Sequence, residues 1–115
     1  MKQYRRVKCN EEFQSVMRAK RFQSSLPLVL YTAKRQRDVS RVGISVGKKI
    51  GNAVVRNRCK RQIRMMAQEI IAKEDEFDYI ILVRKDYLKY SFADNKKQLE
   101  NLYKKVKIRK NKGEQ

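Results

Sequence analysis

The sequence predicts one small α+β domain in the order helix, strand, strand, helix, strand, helix, and three observations lead there. A long stretch, residues 52–72, keeps its apolar side chains on one helical face. Runs with strand character stand on either side of it, residues 41–46 before and 77–83 after, so strand, helix and strand form a βαβ unit. The chain has 115 residues, 41% of them hydrophobic. That suffices for a single modest core, since a fold of this size buries roughly two-thirds of the surface its unfolded chain exposes.

Asn10 reads as an N-cap, with Glu11 and Glu12 in the first turn where the helix dipole favours negative charge. Phe13, Val16, Met17 and Lys20 follow at helical spacing, giving a short amphipathic helix over about residues 10–21. Ser24, Ser25, Leu26 and Pro27 end it. Residues 28–33 then make a strand rich in branched and aromatic side chains, closed by a polar turn over 34–40. Residues 41–46 alternate apolar with small or polar side chains, and are expected to pair with the first strand as a hairpin. Gly47 and Gly51 bracket Lys48, Lys49 and Ile50, a tight cationic connection. The following helix spans about 30 Å and sets Val55, Cys59, Ile63, Met66, Ala67 and Ile70 on one face as its core stripe. After a polar turn over 73–78, Phe77–Val83 is almost continuously apolar, as in a strand at the middle of a sheet. Ser91 caps a last helix with Asp94 in its first turn, and Leu99, Leu102, Tyr103 and Val106 face inward. Residues 1–115 read as a single domain without repeats or linkers, and from about 107 to 115 as a basic flexible tail.

Thirty basic side chains against twelve acidic ones leave a formal charge of +18. Such an excess repels itself, and it points to a polyanionic partner: nucleic acid, an anionic membrane surface or an acidic protein. No apolar run reaches the ~18 residues of a membrane span, and the charged N-terminus leads into no apolar segment of a secretory signal. Cys9 and Cys59 lack the partners and spacing of a zinc site, and read as reduced structural thiols. There is no histidine, which excludes histidine-based acid–base pairs and nucleophile dyads or triads.

The basic helix carries the strongest signal. No acid stands between Asp38 and Glu69, and Arg56, Lys60 and Arg64 succeed one another at i+4 spacing with Asn57, Arg58 and Arg61 beside them. Solvated helix faces usually interleave glutamate with lysine at that spacing; this one does not, and the guanidinium fork fits phosphate. Phe13 and Tyr31 lie near basic residues and could stack bases of single-stranded RNA, although aromatics at such spacing more often pack into a core. The acidic stretch Glu74, Asp75, Glu76, Asp78 reads as a solvated turn rather than a magnesium site, and the glycines match no Walker A loop.

The segment from Arg41 to Arg64, with Arg56-Asn57-Arg58 followed by Lys60-Arg61, closely resembles the signature of the bacterial ribonuclease P protein component. The resemblance extends from about Arg5 to Val106. It implies a mixed sheet of three to four strands with a left-handed βαβ crossover, a sense that is rare on physical grounds. It further implies a ribonuclease in which the RNA subunit, with Mg²⁺, hydrolyses the phosphodiester that joins the 5′ leader to precursor tRNA. The protein is then an accessory, non-catalytic subunit that binds no cofactor of its own. It works in the cytoplasm, away from any membrane, as a monomer in a 1:1 complex with the RNA. Lys48, Lys49, Arg56, Asn57, Arg58, Lys60, Arg61 and Arg64 match positions that contact the catalytic RNA; Phe13, Met17 and Tyr31 match the cleft for the leader. Met17 stands where a second aromatic is common, Met65 where an acid is frequent, and Ala19-Lys20-Arg21 in place of a common glycine. Two other classes share the charge: a structural RNA-binding protein such as a small ribosomal protein, and a DNA-binding module that lays the basic helix in a major groove.

Overall fold

The computed structural model describes residues 5–7, 10–18 and 21–111. Its elements are α1 (Asn10–Arg18), β1 (Phe22–Ser24), β2 (Leu28–Lys34), β3 (Val42–Val46), α2 (Ala53–Ile70), β4 (Phe77–Val83) and α3 (Phe92–Asn111). Short 3-10 turns occupy Lys48–Ile50 and Lys85–Lys89. The strands form one mixed sheet in the order β1-β2-β4-β3. β4 runs antiparallel to β2, from Leu28↔Val83 to Lys34↔Phe77, and parallel to β3, from Val42↔Tyr79 to Val46↔Val83.

The hairpin expected between residues 28–33 and 41–46 does not form, because β4 lies between those strands. Tyr79, Ile80 and Ile81 are all fully buried, and a strand apolar on both faces belongs where it has a neighbour on each edge and cover above and below. The hairpin partner of β2 is instead β1, with Phe22 opposite Tyr31 and Ser24 opposite Val29. The intervening turn is closed by a 2.8 Å bond from the Ser25 N–H to the Leu28 carbonyl. A three-residue strand is too short to show a period, so the sequence leaves Phe22 and Gln23 unassigned and places Ser24 in the breaker after the first helix.

Alternate strand residues serve two cores. On one face Leu28, Leu30, Val42, Tyr79, Ile81 and Val83 meet Cys59, Ile63, Met66 and Ala67 of α2 and Leu99, Leu102 and Val106 of α3. The expected stripe of α2 is thus the buried one, with Val55 and Ile70 at its margins. The opposite face has a smaller core, in which Ile80 packs with Val7 and Val16, and Phe13, Met17, Tyr31 and Ala33 close around them. Buried Arg5 joins the N-terminal segment to the end of α2. Its guanidinium donates to the carbonyls of Ser40, Ile71 and Ala72 at 3.0, 3.3 and 3.2 Å, a favourable place for a cation beside a helix C-terminus.

Cys59 is buried, and desolvation pushes its thiol above the ordinary cysteine value despite neighbouring Arg58. In a Cys9→Ser background, Cys59 should therefore react with a thiol reagent only as fast as the protein unfolds. Rapid labelling of the native state would show that the face of α2 opposite its charges is open.

The acidic stretch is not the solvated turn its composition suggests. Glu74 and Glu76 are exposed, but Asp75 and Asp78 are buried. Asp75 accepts from the Tyr79 hydroxyl at 2.7 Å, the Phe77 N–H at 3.1 Å and the Tyr103 hydroxyl, and lies 2.7 Å from Lys107 Nζ. Asp78 accepts from the Arg41 N–H at 2.9 Å. Carboxylates go inside when donors replace their water. Among the described residues no group of acidic, cysteine or histidine side chains converges as a metal site.

Ser91 caps α3 as expected, accepting from the Asp94 N–H at 3.1 Å. The helix runs on to Asn111, past residue 107 where the sequence reads as tail. Lys107 is the reason: its ammonium bonds Asp75 and lies over the rings of Phe77 and Tyr103. Residues 112–115, Cys9, the Asn10 cap and the turn at Ala19-Lys20 lie outside what is described. Among the described residues no helix is long and apolar enough to cross a membrane.

Candidate nucleic-acid interface

Helix α2 presents its cations in two rows. Asn52 caps it, its side chain accepting from the Val55 N–H at 3.0 Å. No acid follows in the first turn, so the positive end of the helix dipole adds to the exposed Lys48 and Lys49 just before it. Because successive residues are about 100° apart, the buried stripe leaves two flanks. Asn57, Arg58 and Arg61 are exposed on the outer flank, between Val54 and Met65. Arg56, Lys60 and Arg64, at i+4 spacing, are half-buried on the flank toward β3. The Arg56 guanidinium donates to the Gly51 carbonyl at 3.1 Å, which holds that side chain back along the start of its own helix.

The inner row meets α1. A cavity of about 160 Å³ opens beside β3, lined by Arg6, Val7, Phe13, Val42, Gly43, Ile44, Lys60 and Arg64. Arg6 is placed there by a parallel bridge to Val42, with the Val7 N–H donating to the Val42 carbonyl at 3.2 Å. Burial, and then Arg6 beside it, hold the Arg64 guanidinium below its ordinary pKa. Cations that face one cavity from two elements favour an anion placed between them. The cavity therefore combines an aromatic ring with three cations, the pairing that holds one unpaired nucleotide by its base and its phosphate.

The residues singled out from the sequence are only partly brought together. Phe13 shares the cavity with Lys60 and Arg64, whereas Met17 and Tyr31 pack farther along the same face. All three are half-buried, neither wholly core nor wholly free. Tyr31 is extended by Phe22, whose ring lies 5.4 Å away and is 48% exposed, so a second aromatic surface begins there. Lys48, Lys49, Asn57, Arg58 and Arg61 stand apart, on the loop and the outer flank. Arg6, Gly43 and Phe22 belong to this face, and sequence reading misses them. Arg6 had a signal in the basic run before α1; Phe22 and Gly43 had none without the sheet.

A family model described as Ribonuclease P matches residues 1–107. The ribonuclease P protein component of Mesoplasma florum is 43% identical over 104 residues, covering 89% of this chain and 94% of that one. That of Bacillus velezensis is also 43% identical, over 111 residues and 96% of each chain. Among solved structures, the RNase P protein of Staphylococcus aureus superposes with a TM-score of 0.82 at 31% identity, covering 90% of this chain and 96% of its own.

Proposed function

The chain belongs to the ribonuclease P protein family, and from that premise we propose how it serves as the protein subunit of the enzyme. The outer row of α2, with Lys48 and Lys49, docks on the catalytic RNA. The face built by Phe13, Met17 and Tyr31 receives the single-stranded 5′ leader of precursor tRNA. Lys60 and Arg64, which the resemblance assigns to the catalytic RNA, line the cavity with Phe13, and in this proposal they serve the leader instead. The observation that carries this reading is the cavity where the Phe13 ring meets Arg6, Lys60 and Arg64, since base stacking beside a cationic groove is how unpaired strands are held.

The protein's share of the work is electrostatic. Catalytic RNA and substrate repel each other, and cations fixed on a rigid helix between them offset that repulsion without first having to be gathered from solution. Affinity for precursor tRNA rises over that for mature tRNA, because only the precursor has a leader to stack. The Mg²⁺ concentration needed for RNA folding and cleavage falls. The hydrolysis belongs to the RNA subunit with its Mg²⁺; the chain has no histidine to act as a general base near neutral pH. One protein per RNA, in the cytoplasm, completes the proposal.

The test is reconstitution. Purified catalytic RNA should gain cleavage activity at low Mg²⁺ when this protein is added, and the complex should bind precursor tRNA roughly 5- to 150-fold more tightly than mature tRNA for each stacked base. Equal affinity for both substrates would favour a general RNA-binding role, and equal affinity for duplex DNA at physiological salt a major-groove role. Mg²⁺-dependent cleavage by the RNA-free protein would overturn the division of labour.

A further inference from the structure

We infer that Gly43 is a positioning residue for the leader site: its missing side chain lets the Phe13 ring lie directly on the sheet and so sets the depth of the cleft. The inference rests on the reading of Phe13 as a stacking surface. Gly43 lies within β3, opposite Ile80 of β4. Its backbone does not call for glycine, because Gly51 is the one glycine among the described residues with positive φ. Space is what calls for it. A methyl group at Gly43 would lie 2.6 Å from Ile80 Cδ1, 2.7 Å from Phe13 Cζ and 3.0 Å from Phe13 Cε1, well inside the separation of about 3.5–4.0 Å at which carbon atoms rest. At Gly47, by contrast, a methyl would meet nothing within 4 Å.

The two neighbours cannot yield equally. Ile80 is fully buried beneath α1, while Phe13 is half-buried and faces the cavity. The ring is therefore the group that moves, by about 1 Å if it is to regain contact distance. Its way out is into the space it shares with Lys60 and Arg64. A ring lifted off the sheet fills part of the volume a base would take and turns its face away from the cations. Gly43 thus fixes where a stacked base stops and how far its phosphate lies from those two side chains.

The experiment compares holoenzymes reconstituted with the catalytic RNA and four proteins: Ile80→Val, Ile80→Val/Gly43→Ala, Phe13→Ala, and Phe13→Ala/Gly43→Ala. Ile80→Val removes the Cδ1 atom nearest the new methyl, so the first pair isolates the contact with Phe13, and thermal melting confirms that each protein folds. Adding Gly43→Ala to Ile80→Val should lower precursor tRNA affinity roughly 5- to 20-fold, with mature tRNA affinity and assembly unchanged. Adding it to Phe13→Ala should lower precursor affinity no further. Equal losses in both backgrounds, or no loss in the first while Phe13→Ala is impaired, would overturn the positioning role alone. If Phe13→Ala itself binds the leader normally, the stacking reading falls, and this inference with it.

Discussion

Replacing Arg58 and Arg61 together by alanine is expected to weaken assembly with the catalytic RNA by about a hundredfold at moderate salt, while the assembled complex keeps its preference for precursor tRNA. Both side chains are exposed on the outer flank of α2, away from the cavity, and among the described residues no ion pair with an acid ties either of them. A charged hydrogen bond to phosphate contributes about 1.5–3 kcal/mol. Losing two, with some compensation by Lys48 and Lys49, gives the stated loss. The salt dependence should flatten as well, by about 0.9 in log–log slope for each phosphate contact removed from a duplex. Lys60→Ala with Arg64→Ala, or Phe13→Ala with Tyr31→Ala, should behave in the opposite way, sparing assembly and weakening the precursor. Equilibrium binding of each variant to catalytic RNA, then of each complex to precursor and mature tRNA, separates the cases. One common defect profile for all three pairs would mean that the two rows of α2 are a single surface.

The largest effect on stability is expected at Asp75. Asp75→Ala should lower it by about 3–5 kcal/mol, which for a chain of this length is roughly 10–20 °C in Tm. The substitution leaves the fully buried Tyr79 hydroxyl without its acceptor and the Phe77 N–H without its own. It also releases Lys107 and Tyr103, and with them the last turns of α3. The same group gives a pH signature. Burial drives the Asp75 carboxyl up, but the bonds from Lys107, Tyr103, Tyr79 and the Phe77 N–H outweigh it, so its pKa is lower than an ordinary aspartate's. A depressed folded value means that the unfolded chain takes up the proton first. The contribution is therefore complete above the unfolded value near 3.9 and is lost as pH falls through the lower folded value. Denaturant melts of the wild type should show that acid limb, and Asp75→Asn should flatten it. An unchanged limb would mean that the carboxylate is not held by these donors.

What could be read from the chain, and what could not, follows from the range of each interaction. The buried stripe of α2 is legible because periodicity is a property of neighbouring residues: Cys59, Ile63, Met66 and Ala67 announce their shared face before any partner is known. The cap at Ser91 is legible for the same reason. The strands of residues 28–34 and 42–46 are equally plain as strands, yet their pairing is not local. A polar connection over 34–40 looks like a hairpin turn, and only the doubly apolar character of Phe77–Val83 hints that a third strand separates them. The two rows on α2 depend on where α1 comes to rest, which no spacing within α2 encodes. The burial of Asp75 depends on Lys107 and Tyr103, about thirty residues farther along. Phe22 could be assigned to an aromatic surface only once β1 was seen to lie against β2.

The strand order has a consequence for synthesis. A polypeptide leaving the ribosome N-terminus first has β2 and β3 in hand long before the strand that each of them requires exists. Until Val83 emerges, two apolar ribbons and a cationic helix wait without their central strand, close to the ribosome's own RNA. Closure of the sheet is thus a late event, and truncations ending before Phe77 should yield nascent chains with at most the short β1–β2 hairpin and no place for β3. A protein that meets RNA throughout its working life is also born beside it in its stickiest form, and prompt completion of the central strand is what ends that exposure.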